Sequence, residues 1–346
     1  MKRVRHLLCA AALVLGATQA AAAAEMVFVS WGGAYQDAIR NAWIKPFAEK
    51  TGIEVLEEND PETAKLKAMI DTGTVTWDVV TDGGVGFVRG IQQGLFEKLD
   101  PAVVDVSHVY PEAKSEYGVP SEVFSTNFAF STQAFPDGGA QPASWADFWD
   151  VEKFPGKRAV YASPNGVIEA ALMADGVPPG EVYQVLATKE GQDRAFAMIE
   201  KLKPHVAVWW TSGAQPVQAL GSGEVVMANG WNGRFQNGIK EGLPIRQVWN
   251  GALAEVGYFM VVKGAPHREA AMDFLKWVIS PEAQARFHEF ISYGPTTPKA
   301  WDLIPQERWA DLPSSPENLA KSVWVSVPWW AENDAKIAER YQATIQ

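Results

Sequence analysis

Residues 27–35 read Val27-Phe28-Val29-Ser30-Trp31-Gly32-Gly33-Ala34-Tyr35, and this stretch decides the fold. A short apolar strand runs into a glycine pair. After it Tyr35, Ile39, Trp43 and Phe47 recur every four residues, the buried stripe of an amphipathic helix. Lys50-Thr51-Gly52 closes that helix with a C-terminal glycine, and Ile53-Glu54-Val55-Leu56 follows as a second strand. The product is a βαβ unit.

Downstream the alternation continues. Asp60-Pro61-Glu62 starts a helix with Leu66, Met69 and Ile70 on one face, which ends near Gly73, and Trp77-Asp78-Val79-Val80 is the next strand. Further strands are expected near 127–131, 158–161, 206–210, 225–229, 245–249 and 258–262, with helices between most of them. Helices over 266–279 and 281–290 precede a Pro- and Trp-rich stretch at 301–330 and a terminal helix. This predicts an α/β protein whose parallel or mixed sheet is covered on both faces. The 346 residues suit about two domains. No flexible linker separates them, so two lobes sharing several chain crossings are expected.

Upstream, residues 1–24 carry Lys2, Arg3 and Arg5, an apolar run from Leu7 to Ala17, and small residues from Ala20 to Ala24 before Glu25. This is the three-part pattern of a cleaved secretory signal, with the cut expected near Ala24. The apolar run is too short to span a bilayer, which takes about 20 apolar residues. The single cysteine, Cys9, lies ahead of most of that run, the wrong place for a lipidated residue. With it removed, no disulfide, Cys-ligated zinc or cysteine nucleophile is available. Removing the leader leaves 27 basic residues against 41 acidic, a net charge of −14, which disfavours nucleic acid and anionic membrane as partners. An exported, soluble protein is expected, in the periplasm.

The chemistry of an enzyme is hard to find. His108, His205, His267 and His288 are scattered, with no His-Glu-x-x-His array, no Gly-x-Ser-x-Gly elbow and no Walker lysine. The run Gly83-Gly84-Val85-Gly86 follows a strand and enters a helix, but its spacing misses the dinucleotide fingerprint. No cofactor, metal or catalytic residue is expected. Acid pairs such as Glu57-Glu58 keep open one enzymatic alternative, an exported carbohydrate-active enzyme with tryptophan sugar platforms. An iron(III)-binding protein would want clustered tyrosines, and the chain has no adjacent tyrosine pair.

What stands out is 15 tryptophans, all after the leader. Those at helical spacing, such as Trp43 and Trp277, belong in a core. Others sit at strand ends next to small residues: Trp31 before Gly32-Gly33, Trp209-Trp210 before Thr211-Ser212-Gly213, and Trp231 between Gly230 and Asn232-Gly233. In open α/β sheets ligands bind at the carboxyl ends of strands, and aromatic faces there suit an amine or quaternary ammonium group; sugars remain an alternative.

These residues carry a resemblance. The start from Phe28 to Tyr35, Trp77-Asp78-Val79-Val80, Tyr117-Gly118-Val119-Pro120, Ser144-Trp145-Ala146-Asp147-Phe148-Trp149, Phe154-Pro155-Gly156-Lys157, Gly221-Ser222-Gly223-Glu224-Val225, Trp231-Asn232-Gly233 and Tyr293-Gly294-Pro295-Thr296-Thr297-Pro298 occur in an order and spacing that resemble the polyamine-type periplasmic substrate-binding proteins of ABC importers. The resemblance covers nearly all of the chain after the leader. It implies a type II periplasmic binding fold, with a ligand held between two lobes that close about a hinge. Lobe 1 is expected over 25–132 and 258–300, and lobe 2 over 133–257 and 301–346. It also implies a small-molecule ligand, an inner-membrane permease as partner, a monomer and no catalysis.

In that family aromatic residues box the ligand, and the matching positions are Trp31, Tyr35 and Tyr293; Tyr35 fits the first helix's buried stripe equally well. Where the family carries acids after the first strand of lobe 2, this chain has Tyr161-Ala162-Ser163-Pro164-Asn165-Gly166. Asp82 and Ser163, with the strand-end rings Trp210 and Trp231, complete the set expected around the ligand. Two charged residues fall where the cleft should be. Arg234 follows Trp231-Asn232-Gly233 at a strand-to-helix turn, and its planar fork suits a carboxylate. Glu255 precedes Val256-Gly257-Tyr258 and would take an ammonium. Together they point to a zwitterion with separated charges, such as γ-aminobutyrate or a betaine-like compound, with a polyamine as the alternative.

Overall fold

At the end of β1 (Glu25–Ser30) the chain turns through Gly32 and Gly33, at φ of 68° and 58°, a left-handed conformation that residues bearing a Cβ rarely adopt. The computed structural model describes residues 25–346, so the expected leader lies outside the described residues. The helix beyond the turn is continuous from Gly33 to Thr51, but its middle turn, Arg40–Ile44, is a π-helix. The sequence spacing explains why. Residues four apart drift by about 40° per step on a 3.6-residue helix. One wider turn takes up that drift, and Tyr35, Ile39, Trp43 and Phe47 all remain buried.

The remaining strands are β2 (Glu54–Asn59), β3 (Val79–Gly83), β4 (Val119–Ser131), β5 (Arg158–Tyr161), β6 (Val206–Trp210), β7 (Met227–Trp231), β8 (Ile245–Val261) and β9 (Val323–Trp324). Among the described residues they form one sheet in the order β2-β1-β3-β8-β4-β7-β5-β6, with β9 on β8. β1 lies parallel to β2 and β3, and β5 lies parallel to β6 and β7. Each parallel triplet is bordered by a long strand running the other way, β8 on β3 and β4 on β7, and β4 and β8 pair with each other. The same small topology is therefore built twice, back to back across two long strands.

Burial divides along the same line. One core gathers Met26 to Val119 and Val256 to Tyr293; a second gathers Phe128 to Met227, Leu253 and the terminal residues Val323 to Tyr341. A smaller cluster around Trp210, Phe235 and Ile245 covers the other face of the second triplet. Residues 120–127 of β4 run between the cores and carry buried polar side chains, Ser121, Glu122, Ser125, Thr126 and Asn127. Phe128 and Phe130 already belong to the second core.

Three elements differ from expectation. Residues 245–249 and 258–262 are parts of one strand, β8, rather than two. Asn250-Gly251 reads as a turn, and locally it is one, with Gly251 at φ 74°. The ladder to β4 jumps from Thr126↔Leu253 to Phe128↔Val248, so the chain bulges there and rejoins the same partner. β3 starts at Val79, because Trp77 and Asp78 are committed elsewhere: Trp77 Nε1 donates to Glu58 Oε2 at 2.8 Å, and Asp78 accepts from the Val27 amide. The 301–330 stretch folds as short turns, and it splits. Trp301 and Leu312 belong to a satellite cluster tied to Tyr110 by a 2.9 Å hydrogen bond, whereas Trp330 in the helix Val327–Ile345 packs into the second core.

Candidate functional site

The two triplets point their carboxyl ends at one another. Beyond β1, β2 and β3 stand Trp31, Asp60 and Asp82; beyond β5, β6 and β7 stand Tyr161, Thr211-Ser212-Gly213 and Trp231. All of them line a single cavity of about 630 Å³, floored by Glu122, Phe124 and Thr126 of β4 and by Glu255 and Gly257 of β8. This is where ligands of α/β sheets bind, because each strand ends in a loop and a helix start that face open space.

Besides the exposed Asp60, three acids from three adjacent strands meet in the cavity, Glu122 and Glu255 buried and Asp82 half-buried. Glu122 is 3% exposed and accepts a 2.8 Å hydrogen bond from the Tyr35 phenol. Its Oε1 occupies the hollow over Gly257, where a Cβ would lie 2.2 Å away, so only glycine fits opposite it. Burial pushes the Glu122 carboxyl up to about 7, and the hydroxyls near it, that of Tyr35 included, offset only part of this. Glu255, 6% exposed, is held by Asn165 Nδ2 at 3.0 Å and by the Thr126 hydroxyl at 3.4 Å. Its carboxyl too is pushed up to about 7, chiefly by burial and in lesser part by the negative charge of Glu169. Asp82 accepts from the Gly83 amide at 2.8 Å, and burial lifts its carboxyl to about 6 against the opposing pull of Arg89. Among the described residues none of the three acids makes an ion pair, and only Asp82 is drawn down by a cation, Arg89.

Arg234 supplies the opposite charge. It lies in the first turn of the helix Asn232–Lys240, and Asn232 anchors that turn by accepting from the Ser125 amide at 3.0 Å. The guanidinium reaches from one triplet to the other: Nη1 is 3.8 Å from where a Cβ of Gly33 would be, and Nε is 3.6 Å from that of Gly213. Among the described residues it makes no ion pair and no hydrogen bond. A cation held this way in a cavity is open to a carboxylate.

Of the residues singled out in the sequence, the cavity brings together Trp31, Tyr35, Asp82, Trp231, Arg234, Glu255 and Tyr293. Trp31 is a rim residue, 51% exposed, whereas Tyr35 is 7% exposed and both faces the cavity and completes the helix stripe. Ser163 does not line the cavity, and neither does Trp210. Trp210 is fully buried, donates to Asn229 Oδ1 at 2.9 Å and stacks on Tyr161 at 4.1 Å between centroids, so it backs a cavity residue from behind. Sequence reading missed Glu122, Tyr161 and Asn165. The signal for Glu122 was there: a lone acid inside the apolar run Val119-Pro120-Ser121-Glu122-Val123-Phe124.

A cavity between two α/β halves, furnished with unpaired charges of both signs, is the site of a solute-binding protein. The chain belongs to the bacterial extracellular solute-binding protein family, whose sequence pattern it matches over residues 42–316. It is 39% identical over 333 residues to the γ-aminobutyric acid-binding protein of Pseudomonas aeruginosa, covering 96% of this chain and 94% of that one. It is 24% identical to spermidine/putrescine-binding periplasmic protein 1 of Haemophilus influenzae, over 80% of this chain and 78% of the other. Among solved structures, an ABC transporter substrate-binding protein from Bradyrhizobium japonicum is 40% identical and superposes with a TM-score of 0.87, over 93% of this chain and all of that chain. The protein is a binding protein with the two-lobed type II periplasmic fold, and not an enzyme.

Proposed function

We propose that this chain is the periplasmic substrate-binding component of an ABC importer, that it captures an ω-amino acid of the γ-aminobutyrate type between its lobes, and that it hands the ligand to a membrane permease. One observation carries the choice of ligand: Arg234, with no ion-pair partner among the described residues, shares a cavity with four carboxyl groups, two of them buried. A zwitterion satisfies both signs at once. Its carboxylate pairs with Arg234, its ammonium with Glu255, and Trp31, Tyr161, Trp231 and Tyr293 enclose the methylene chain. The 39% identity to a γ-aminobutyric acid-binding protein supports the same choice.

In this reading the lobes divide where the cores do, along residues 120–127 of β4 and near Glu255 of β8, and these strands are the hinge. The protein acts as a monomer after its signal is cut near Ala24. The ligand favours the closed form only through contacts it makes better there. Arg234 on one side and Asp82 and Trp31 on the other provide them.

Titration calorimetry with γ-aminobutyrate and putrescine on wild type and Arg234→Ala tests the assignment. Losing the partner of a desolvated carboxylate costs about 2–5 kcal/mol, so γ-aminobutyrate should weaken roughly thirtyfold or more, and putrescine less than about threefold. Equal loss for both compounds, or tight putrescine binding by wild type, would favour the polyamine reading that the surplus of acids also allows.

A further inference from the structure

A simple ω-amino acid leaves the cavity's charges unbalanced, because its one ammonium needs one carboxylate and the cavity offers four, Asp60, Asp82, Glu122 and Glu255. With Glu255 on the ω-ammonium, Glu122 is the other acid of the cavity that is buried. Its Oε2 is buried and has no hydrogen-bond partner, a costly state unless a ligand supplies a donor. Glu122 and Glu255 lie on the paired strands β4 and β8, where Glu122 is opposite Gly257 and Phe124 is opposite Glu255. They are therefore diagonal neighbours, with backbones on the order of 7 Å apart. Their side chains engage opposite walls. Glu122 meets Tyr35 of the first lobe, and Glu255 meets Asn165 of the second.

Two phenols connect Glu122 to the arginine. The Tyr35 ring lies 6.2 Å from that of Tyr293, and the Tyr293 ring packs on the backbone of Gly233, the residue before Arg234, where a Cβ would sit 2.6 Å from Cε1. Burial is the main cause that raises the Tyr293 phenol, and smaller opposing effects come from Arg234, which lowers it, and Glu122, which raises it. An anion subsite and a cation subsite thus sit around one tyrosine, as the adjoining carboxylate and ammonium of an α-amino acid require. A second cation subsite lies farther along at Glu255.

We propose that Glu122, with Tyr35, forms a second ammonium subsite beside Arg234, and that the ligands this receptor holds most tightly are monocarboxylates bearing both an α- and an ω-ammonium group. This rests on the zwitterion reading and narrows it. The carboxylate lies on Arg234, the α-ammonium on Glu122 and the ω-ammonium on Glu255.

The test compares γ-aminobutyrate with L-2,4-diaminobutyrate, which has the same chain and one added α-ammonium. By calorimetry at pH 7.5 the diamino compound should bind wild type at least tenfold more tightly. Glu122→Gln should bring the ratio of the two affinities to within about twofold of one, whereas Glu255→Gln should leave the preference in place. Equal or weaker binding of the diamino compound by wild type overturns the proposal, as does a preference that survives Glu122→Gln. If γ-aminobutyrate binds and the diamino compound gains nothing, the second subsite alone is refuted; if neither binds the folded protein, the zwitterion reading falls with it. Should Glu122→Gln fail to fold, the wild-type ratio decides by itself.

Discussion

The two halves of the cavity share a topology and differ in charge. Three parallel strands end at each wall, with the first strand in sequence at the centre of its triplet. The ends of β1, β2 and β3 deliver Trp31, Asp60 and Asp82, and β4 and β8 add Glu122 and Glu255 to the floor. The ends of β5, β6 and β7 deliver Tyr161, Asn165, Ser212, Trp231 and Arg234, with no acid among them. The fold thus fixes where ligand groups come from and leaves their sign to single side chains.

Reversing the charge at Arg234 breaks the comparison most severely. Arg234→Asp makes both walls anionic, so γ-aminobutyrate binding should fall on the order of a thousandfold while putrescine gains, because like charge facing a carboxylate adds repulsion to the lost pair. Calorimetry with both compounds reads the exchange. If γ-aminobutyrate still bound, Arg234 would not be the anion site.

A smaller effect separates the acids. Glu255→Gln should weaken γ-aminobutyrate about tenfold at pH 7.5 and should flatten the pH dependence of binding. In wild type the carboxyls of Glu122 and Glu255 lie near 7 and that of Asp82 near 6 in the empty cleft, so protons compete with an ammonium, and affinity should fall as pH drops from 7.5 to 5.5. The sign for stability is opposite. These raised carboxyls bind more protons folded than unfolded between about pH 4.5 and 7, so their contribution is full below that window and is lost as pH rises through it. Melting curves of ligand-free wild type against Glu255→Gln should show the variant gaining relative stability from pH 5 to pH 7.5, and ligand should remove most of that difference. A constant gap across the range would mean that Glu255 is ionised throughout.

The smallest effect belongs to the rim. Trp31 is half exposed, and a cation at an exposed ring gains about 0.5–1 kcal/mol, so Trp31→Ala should cost γ-aminobutyrate about two- to fivefold. A loss rivalling that of Arg234→Ala would place the ring deep in the closed site.

Much of this was legible in the sequence because it depends on local rules. The glycine pair, the four-residue stripe and the alternation of strand and helix give the βαβ units directly. Arg234 was readable because it follows a strand end and an aromatic residue. What escaped depends on which way a side chain faces. Trp210 and Trp231 both sit at the carboxyl end of a strand, yet Trp210 turns inward to Asn229 and Tyr161 while Trp231 borders the cavity. Glu122 stands alone in a mostly apolar stretch, and only the absence of a side chain at Gly257, 135 positions on, opens the hollow that its carboxyl occupies. The continuity of β8 was hidden by Asn250-Gly251, a turn signal used here as a bulge.

In this reading side chains of opposite charge around one cavity, Arg234 and Glu255, grip the two ends of one small molecule. The most direct measurement is the affinity of wild-type protein for γ-aminobutyrate, butyrate and butylamine, which carry both ends, the anionic end alone and the cationic end alone. The account predicts that γ-aminobutyrate binds at least a hundredfold more tightly than either single-ended compound. Butylamine or butyrate binding within a few fold of γ-aminobutyrate would contradict it.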